Sequence, residues 1–373
     1  MGDELNTYYL ELQKLRSFLN SKIIGREEMI NVALTSLLSG EPLLLIGKTG
    51  TAKTYLVDLL ASAIGGQYFY YLLSKFTEKD ELLGVIAIEE YKKGRIEYIG
   101  RSILHANIVM LDEIYKATSS IVNMLLDIIL NKRFQDKLLN ILAFFFASNE
   151  YYTDEDYVAF NDRMTLKYFV TSYLSDPNLL YKLLKAELIH VEKPKLSVKD
   201  VQLIQHKYVR EIYANTVGNI KLMNNYIDLV NTIRTVKPIS DRKLKKIIMV
   251  ASAIALLEGK TEASESQILK ALIYTVPESP EEIRLVEAKA EEKKFGVKEE
   301  IIKLEMLDKT LRAALEKYKV TEDSKKQEVL QEIYSIILEI KKLITSPDQT
   351  IKDKAQELLK QIANEVPQVL LGI

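Results

Sequence analysis

The chain is 373 residues long, enough for two or three domains that each bury a core. Its 51 lysines and arginines offset 52 aspartates and glutamates, and a net charge of −1 argues against holding nucleic acid by bulk positive charge. The absence of cysteine excludes disulfides, thiolate nucleophiles, iron–sulfur clusters and cysteine-type zinc sites, and His105, His190 and His206 are too dispersed for a metal cluster.

Asp3 and Glu4 stand where a signal peptide would be basic, and the longest apolar runs, 43–46 and 141–147, are strand-sized. Neither targeting nor membrane insertion is expected, and a cytoplasmic protein is. Leu5, Leu12, Leu15 and Leu19 are spaced for a helix, which breaks at 21–25, and a second helix is predicted over 27–38. Gly40-Glu41-Pro42 stops it, because proline cannot continue a helix and glycine tolerates the turn. The run Leu43-Leu44-Leu45-Ile46 reads as a buried parallel strand, and a helix over 53–64 follows, closed by Gly65-Gly66. Further strands are expected at 68–73, 108–111 and 141–148, with a helix at 121–130. This alternation over 20–170 predicts a parallel sheet covered by helices on both faces. Residues 85–99 interrupt it and read as a β-hairpin turning near Gly94.

Beyond about residue 175 strand signals fade and helical periodicity dominates to about 275, where Val276-Pro277-Glu278-Ser279-Pro280 reads as a linker. The expected division is 1–174, an α/β nucleotide domain; 175–276, an all-α domain; and 281–373, a helical tail. In the tail, Leu304, Leu307, Leu311 and Leu315, then Val329, Ile333, Ile336, Ile340 and Leu343, form packing seams. A small bundle is expected rather than a long coiled coil, because the turn signal at 321–323 and Pro347 interrupt the pattern.

The chemistry begins at Gly47-Lys48-Thr49-Gly50-Thr51-Ala52-Lys53-Thr54, followed by Tyr55, between the first strand and its helix. Such a loop points backbone N–H groups at phosphate oxygens and adds the partial positive charge of a helix N-terminus. Lys53 would reach the β- and γ-phosphates and the Thr54 hydroxyl would ligand Mg²⁺. Ala52 replaces the glycine usual before the lysine, so the motif departs from the common pattern. The apolar strand Ile108-Val109-Met110-Leu111 ends in Asp112 and Glu113, one carboxylate suited to the hydrated Mg²⁺ and one to orienting or deprotonating water. The strand at 141–147 ends in Ser148-Asn149-Glu150, where the Asn149 amide can bridge water and γ-phosphate. Arg163 in Asn-Asp-Arg-Met and Arg242 in Ser-Asp-Arg-Lys are assignable by spacing neither to a site nor to the surface, although Ser240 reads as an N-cap.

Taken together, Ile24-Gly25-Arg26-Glu27, the phosphate loop, Leu-Asp-Glu-Ile-Tyr-Lys-Ala at 111–117, Ala-Ser-Asn-Glu at 147–150, Asp-Arg-Met at 162–164 and Ser-Asp-Arg-Lys at 240–243 resemble the MoxR family of AAA+ ATPases, closest to its RavA branch. Ala52 is a habit of that family. Phe76-Thr77-Glu78, Leu82-Leu83-Gly84 and Asn123-Met124-Leu125-Leu126 also fit, and the resemblance covers roughly 20–275. It implies an AAA+ P-loop parallel sheet with helices on both faces, then an all-α lid and a C-terminal helical bundle. It further implies ATP and Mg²⁺ held by Lys53, Thr54 and Asp112, Glu113 as catalytic carboxylate and Asn149 as first sensor. Arg242 would be a second sensor acting within its own subunit, Arg163 a finger reaching the neighbouring subunit, and Ile23, Ile24 and Gly25 the wall of the adenine pocket. The hairpin at 85–99 would face the pore of a ring, usually a hexamer. A second hairpin before the first-sensor strand, at 133–141, is expected to be reduced or missing. By the same resemblance the ring remodels a protein client, with a von Willebrand factor A domain protein as partner. The competing reading is a motor or loader acting on nucleic acid through lysines such as Lys92 and Lys93, which the charge balance disfavours.

Overall fold

The structure, a computed structural model, describes residues 3–171, 173–186, 191–296, 299–320, 326–344 and 349–362; His190, the turn signal at 321–323 and Pro347 lie outside them. Two helices, α1 (Asp3–Lys22) and α2 (Glu27–Ser39), come first. Gly40 ends α2 at φ +70, where its N–H donates to Ser36 O at 2.9 Å. A strand and a helix follow, β1 (Leu43–Ile46) and α3 (Lys53–Ile64), and then β2 (Tyr68–Leu72) and α4 (Lys79–Leu83).

The insertion comes next and differs from the expected hairpin. Only its ends pair, β3 (Val85–Ile86) with β4 (Tyr98–Ile99), and the short helix α5 (Ile88–Lys92) lies between them. Glu89 and Glu90 in the first turn and Lys92 in the last complement a helix dipole, and Glu90 meets Lys93 at 2.7 Å and Arg95 at 3.1 Å. The apolar alternation that a longer ribbon needs is missing there.

The remaining elements of the sheet region are β5 (Ile108–Asp112), α6 (Ser119–Asn131), β6 (Arg133–Phe134), β7 (Lys137–Leu138), β8 (Ala143–Ser148), α7 (Glu155–Arg163) and β9 (Leu166–Phe169). The second hairpin is present in reduced form: β6 and β7 pair for two residues each around Gln135 at φ +52. Tyr98 meets Phe134 edge-on at 5.5 Å and so joins the two small hairpins.

Five strands form one parallel sheet in the order β2-β5-β8-β1-β9. Its central strands β1, β5 and β8 are buried on both faces, and their successive residues divide between two cores. Leu43, Leu45, Met110, Phe145 and Ala147 enter one, which continues into α1, α2 and α3. Leu44, Ile46, Val109, Leu111, Phe144 and Phe146 enter the other, under α6 and Phe160 of α7.

After β9 the chain is helical: α8 (Pro177–Lys185); α9 (Val198–Leu203), which runs through a wider turn into α10 (Val209–Gly218); α11 (Ile220–Arg234); α12 (Asp241–Leu257); and α13 (Glu265–Thr275). Ser279 then caps α14 (Pro280–Glu292), accepting from Glu282 N, with Pro280 in the first turn where no N–H is needed. Val286 and Ala290 of α14 belong to the same core as α12 and α13, so the first compact unit runs to Gly296, past the expected linker. The second unit, 297–373, contains α15 (Glu299–Val320), α16 (Lys326–Ile344) and α17 (Gln349–Ile362). Its core is built from Leu311 and Leu315, then Ile333, Ile336 and Ile340, with Ala355 and Leu358 closing it.

Candidate active site

The strand order makes the site. β1, β8 and β5 are neighbours, with Ile46 beside Ser148 and Leu111 beside Phe146, so the phosphate loop, Asn149 and the Asp112-Glu113 pair all leave the same carboxyl edge of the sheet. This is where open α/β sheets place their ligands. A cavity of about 210 Å³ lies there, lined by residues 49–55, Asp112, Glu113 and Asn149.

Gly47 starts the loop by donating to Ser148 O at 3.0 Å, and a Cβ on it would stand 2.9 Å from Val170 Cβ and 3.1 Å from Val170 O. Only glycine passes between the two strands there. Thr51 Oγ1 donates to Lys48 O at 2.8 Å and tightens the turn. Ala52 sits at φ +66 and opens α3, a left-handed position that explains why glycine is common there. Lys53 is buried, its Nζ donating to Gly47 O at 2.6 Å and Lys48 O at 3.1 Å. Burial pushes its ammonium below the ordinary value, against the pull of Asp112 and Glu113.

Asp112 is held from both sides: Thr54 Oγ1 donates to Oδ2 at 2.9 Å and the Glu113 N–H to Oδ1 at 2.9 Å. Glu113 lies at φ +55, a left-handed conformation that a bulky residue adopts at some cost. Its side chain accepts from Asn149 Nδ2 at 2.8 Å, and Lys116 Nζ lies 3.4 Å from its other oxygen. Asn149 Oδ1 in turn accepts from Thr49 Oγ1 at 3.2 Å.

A further residue adjoins the loop. Tyr173 donates its hydroxyl to Thr49 O at 3.1 Å. Next to it in the chain, Leu174 presses on Gly25 together with Leu179, and an added Cβ there would meet Leu174 at 2.8 Å. Ile23 is buried in the core. Tyr173 carries no sequence signal of its own, whereas Lys116 stands one turn after Glu113 within the 111–117 motif.

The two arginines are elsewhere. Arg163 ends α7, three residues before β9, with Nη1 donating to Ala159 O at 2.8 Å and Nε buried without a partner. Arg242 is exposed in the first turn of α12. One turn on, Lys246 pairs at 2.7 Å with Glu41, just before β1, and donates to Thr165, just before β9. Both arginines therefore stand by the amino edge of β1 and β9, and β1 itself spans about 13 Å. Ser240 and Lys243 share a cavity of about 400 Å³ with Asn161 and Asp162, which joins the start of α12 to the end of α7. Ser240 makes no side-chain cap bond. Arg242 is not among the residues that line the phosphate-loop cavity.

The residues present fit Mg²⁺. Thr54 and Asp112 supply one hydroxyl and one carboxylate at contact distance, the small protein donor set that a largely hydrated Mg²⁺ takes beside substrate phosphates. No group of three or more histidine or carboxylate side chains suited to a metal occurs among the described residues, and no helix among them is long and apolar enough to cross a membrane.

A family model described as the MoxR domain in the MoxR-vWA-beta-propeller ternary systems matches residues 10–213. Two uncharacterized proteins of Methanocaldococcus jannaschii are each 33% identical to the chain, one over 71% of it and 70% of its own length, the other over 72% of both. A structural protein of Acidianus two-tailed virus is 24% identical over 73% of the chain and 50% of its own length. Among solved structures, one from Cytophaga hutchinsonii, described as a candidate ATPase, shares the fold with a TM-score of 0.60 over 78% of this chain and 96% of that one, at 17% identity.

Proposed function

The chain belongs to the MoxR family of AAA+ ATPases, and from that premise we propose that it binds ATP on the 47–54 loop and hydrolyses it. The observation that carries this reading is the convergence of Lys53, Thr54, Asp112, Glu113 and Asn149 on one cavity. With ATP bound, Lys53 exchanges the loop carbonyls for β- and γ-phosphate oxygens. Thr54 and Asp112 would hold Mg²⁺, which when bound neutralises charge on those oxygens. Glu113 takes the proton of the attacking water, and Asn149 holds the water and the γ-phosphate in line. Glu113→Gln should lower steady-state ATPase activity by about 10²–10⁴-fold while nucleotide binding persists. Unchanged turnover would show that the base is another residue.

A subunit with Arg163 and Arg242 at the opposite edge of its sheet from its own phosphate loop needs a neighbour to complete its site. Both arginines are proposed to serve the adjacent subunit of a ring, six subunits by the family's habit. Mixing Arg163→Ala chains with Glu113→Gln chains should restore turnover that neither has alone, and no rescue at any ratio would refute a finger supplied in trans. The proposed work of the ring, in the cytoplasm, is to remodel a protein client. A von Willebrand factor A domain protein is the proposed partner, since the matching family model is described from systems that contain one. The proteins retained by an ATP-loaded Glu113→Gln trap test this. ATPase stimulation by DNA or RNA that falls steeply with salt would favour the nucleic-acid motor instead.

A further inference from the structure

We propose that Thr49 is a positioning residue for hydrolysis, one that holds the Asn149 amide against the catalytic carboxylate from the phosphate-loop side. The proposal rests on the reading of Glu113 and Asn149 given above. The two ends of an asparagine amide are chemically opposite, an acceptor oxygen and a donor nitrogen, yet nearly equal in shape. A carboxylate oxygen accepts, so the end of Asn149 that meets Glu113 at 2.8 Å is Nδ2. The other end, Oδ1, then needs a donor. Thr49 Oγ1 supplies it at 3.2 Å from within the phosphate loop.

Without that donor the amide is held at its Glu113 end alone and is free to swing about that bond, away from the position where water and γ-phosphate meet. Thr49 is itself held: its carbonyl accepts the Tyr173 hydroxyl at 3.1 Å, which leaves the side chain to turn toward Asn149. On the far side, Lys116 lies 3.4 Å from the second Glu113 oxygen. The result is a chain from the phosphate loop to the base, Thr49 to Asn149 to Glu113, with Lys116 steadying its end. All of its members but Lys116 line the same cavity. Hydroxyl, amide and carboxylate each use the one polarity that lets the next bond form.

The test compares Thr49→Val, which keeps the shape and removes the donor, with Thr49→Ser, which keeps the donor. Steady-state ATP hydrolysis gives kcat and KM, and equilibrium binding of a non-hydrolysable ATP analogue gives Kd. Thr49→Val should lose about tenfold in kcat, the effect of one hydrogen bond, with Kd and KM within about twofold of the parent. Thr49→Ser should recover most of that loss, and Thr49→Val added to Asn149→Ala should cost nothing further. A Thr49→Val chain with the parent kcat overturns the proposal. So does a loss that appears equally in Kd and adds fully to Asn149→Ala, which would mean that Thr49 only shapes the loop. Glu113→Gln in the same assay separates the two levels: if it turns over normally, the catalytic reading fails, whereas an inactive Glu113→Gln beside a fully active Thr49→Val refutes only the role of Thr49.

Discussion

Ala52 and Glu113 both take left-handed backbone angles, φ +66 and φ +55, in the wall of one cavity. An L-residue in that region costs roughly 1–2 kcal/mol, a cost glycine avoids. Ala52→Gly should therefore stabilise the folded chain by up to about 1 kcal/mol after the extra freedom of glycine in the unfolded chain is subtracted. A urea unfolding midpoint that falls on this substitution would contradict the strain. The strain at Glu113 has a different standing, since its left-handed turn directs the side chain back to Asn149.

A second residue-scale feature lies away from the cavity. Lys167, with no exposed side-chain surface, pairs with Glu278 at 3.2 Å, and Glu278 also meets Lys237 at 2.7 Å. Burial pushes Glu278 up, but the Lys167 and Lys237 charges outweigh it and hold its carboxyl at about 2. Burial pushes Lys167 down to about 8. The contribution of Glu278 is thus complete above its unfolded value of 4.5 and is lost as pH falls from there toward 2. The penalty for charging buried Lys167 is complete below about 8 and fades as pH rises toward 10.5. Glu278→Gln should destabilise by about 3 kcal/mol at neutral pH, because it leaves a buried ammonium without its carboxylate, less the relief from the third of Glu278 that is exposed. Repeated at pH 3, the difference between the two chains should shrink. A constant difference would mean that the charge of Glu278 is not what matters.

At the scale of elements, β8 supports the site by its position between β5 and β1. Phe145 is fully buried in the core below α3, and Phe145→Ala should cost about 3–5 kcal/mol in thermal or denaturant unfolding. A loss under 1 kcal/mol would mean that the neighbouring side chains close the gap. β8 is legible in the sequence because its apolar run is continuous and ends in polar residues. β1 and β5 share that signature and α3 is closed by Gly65-Gly66, so the residues that line the cavity, 49–54, Asp112, Glu113 and Asn149, stand at the strand ends and the loop that the pattern marks. β9 is not legible, because Leu-Lys-Tyr-Phe carries a lysine where a buried strand should be apolar. The partner that makes Lys167 tolerable, Glu278, lies 111 residues on. The helix inside the 85–99 insertion is masked in the sequence for a related reason: its stabilising ion pairs are local, but the flanking apolar residues imitate a ribbon. The placement of Arg242 depends on how α12 packs, through Lys246, Glu41 and Thr165, and no motif spacing encodes that.

At the scale of the molecule, residues 1–296 hold the sheet, the cavity, both arginines and helices α8 to α14 in one compact unit. A chain ending at Gly296 should therefore unfold cooperatively at a temperature near that of the full chain and keep its nucleotide affinity. An unfolded product would mean that 297–373 completes its core.

The opposed edges of the sheet have a kinetic consequence. If loop and arginines from different chains make one working centre, dilution removes activity without unfolding anything. Specific activity per chain should climb with protein concentration and level off once association saturates, and it should fall more steeply than in proportion when chains carrying both Arg163→Ala and Glu113→Gln are mixed in. An enzyme whose centre lies within one chain would give a flat line in the first experiment and simple proportional loss in the second. The order parameter for catalysis in this protein is then contact between copies, read in an assay as the curvature of rate against concentration.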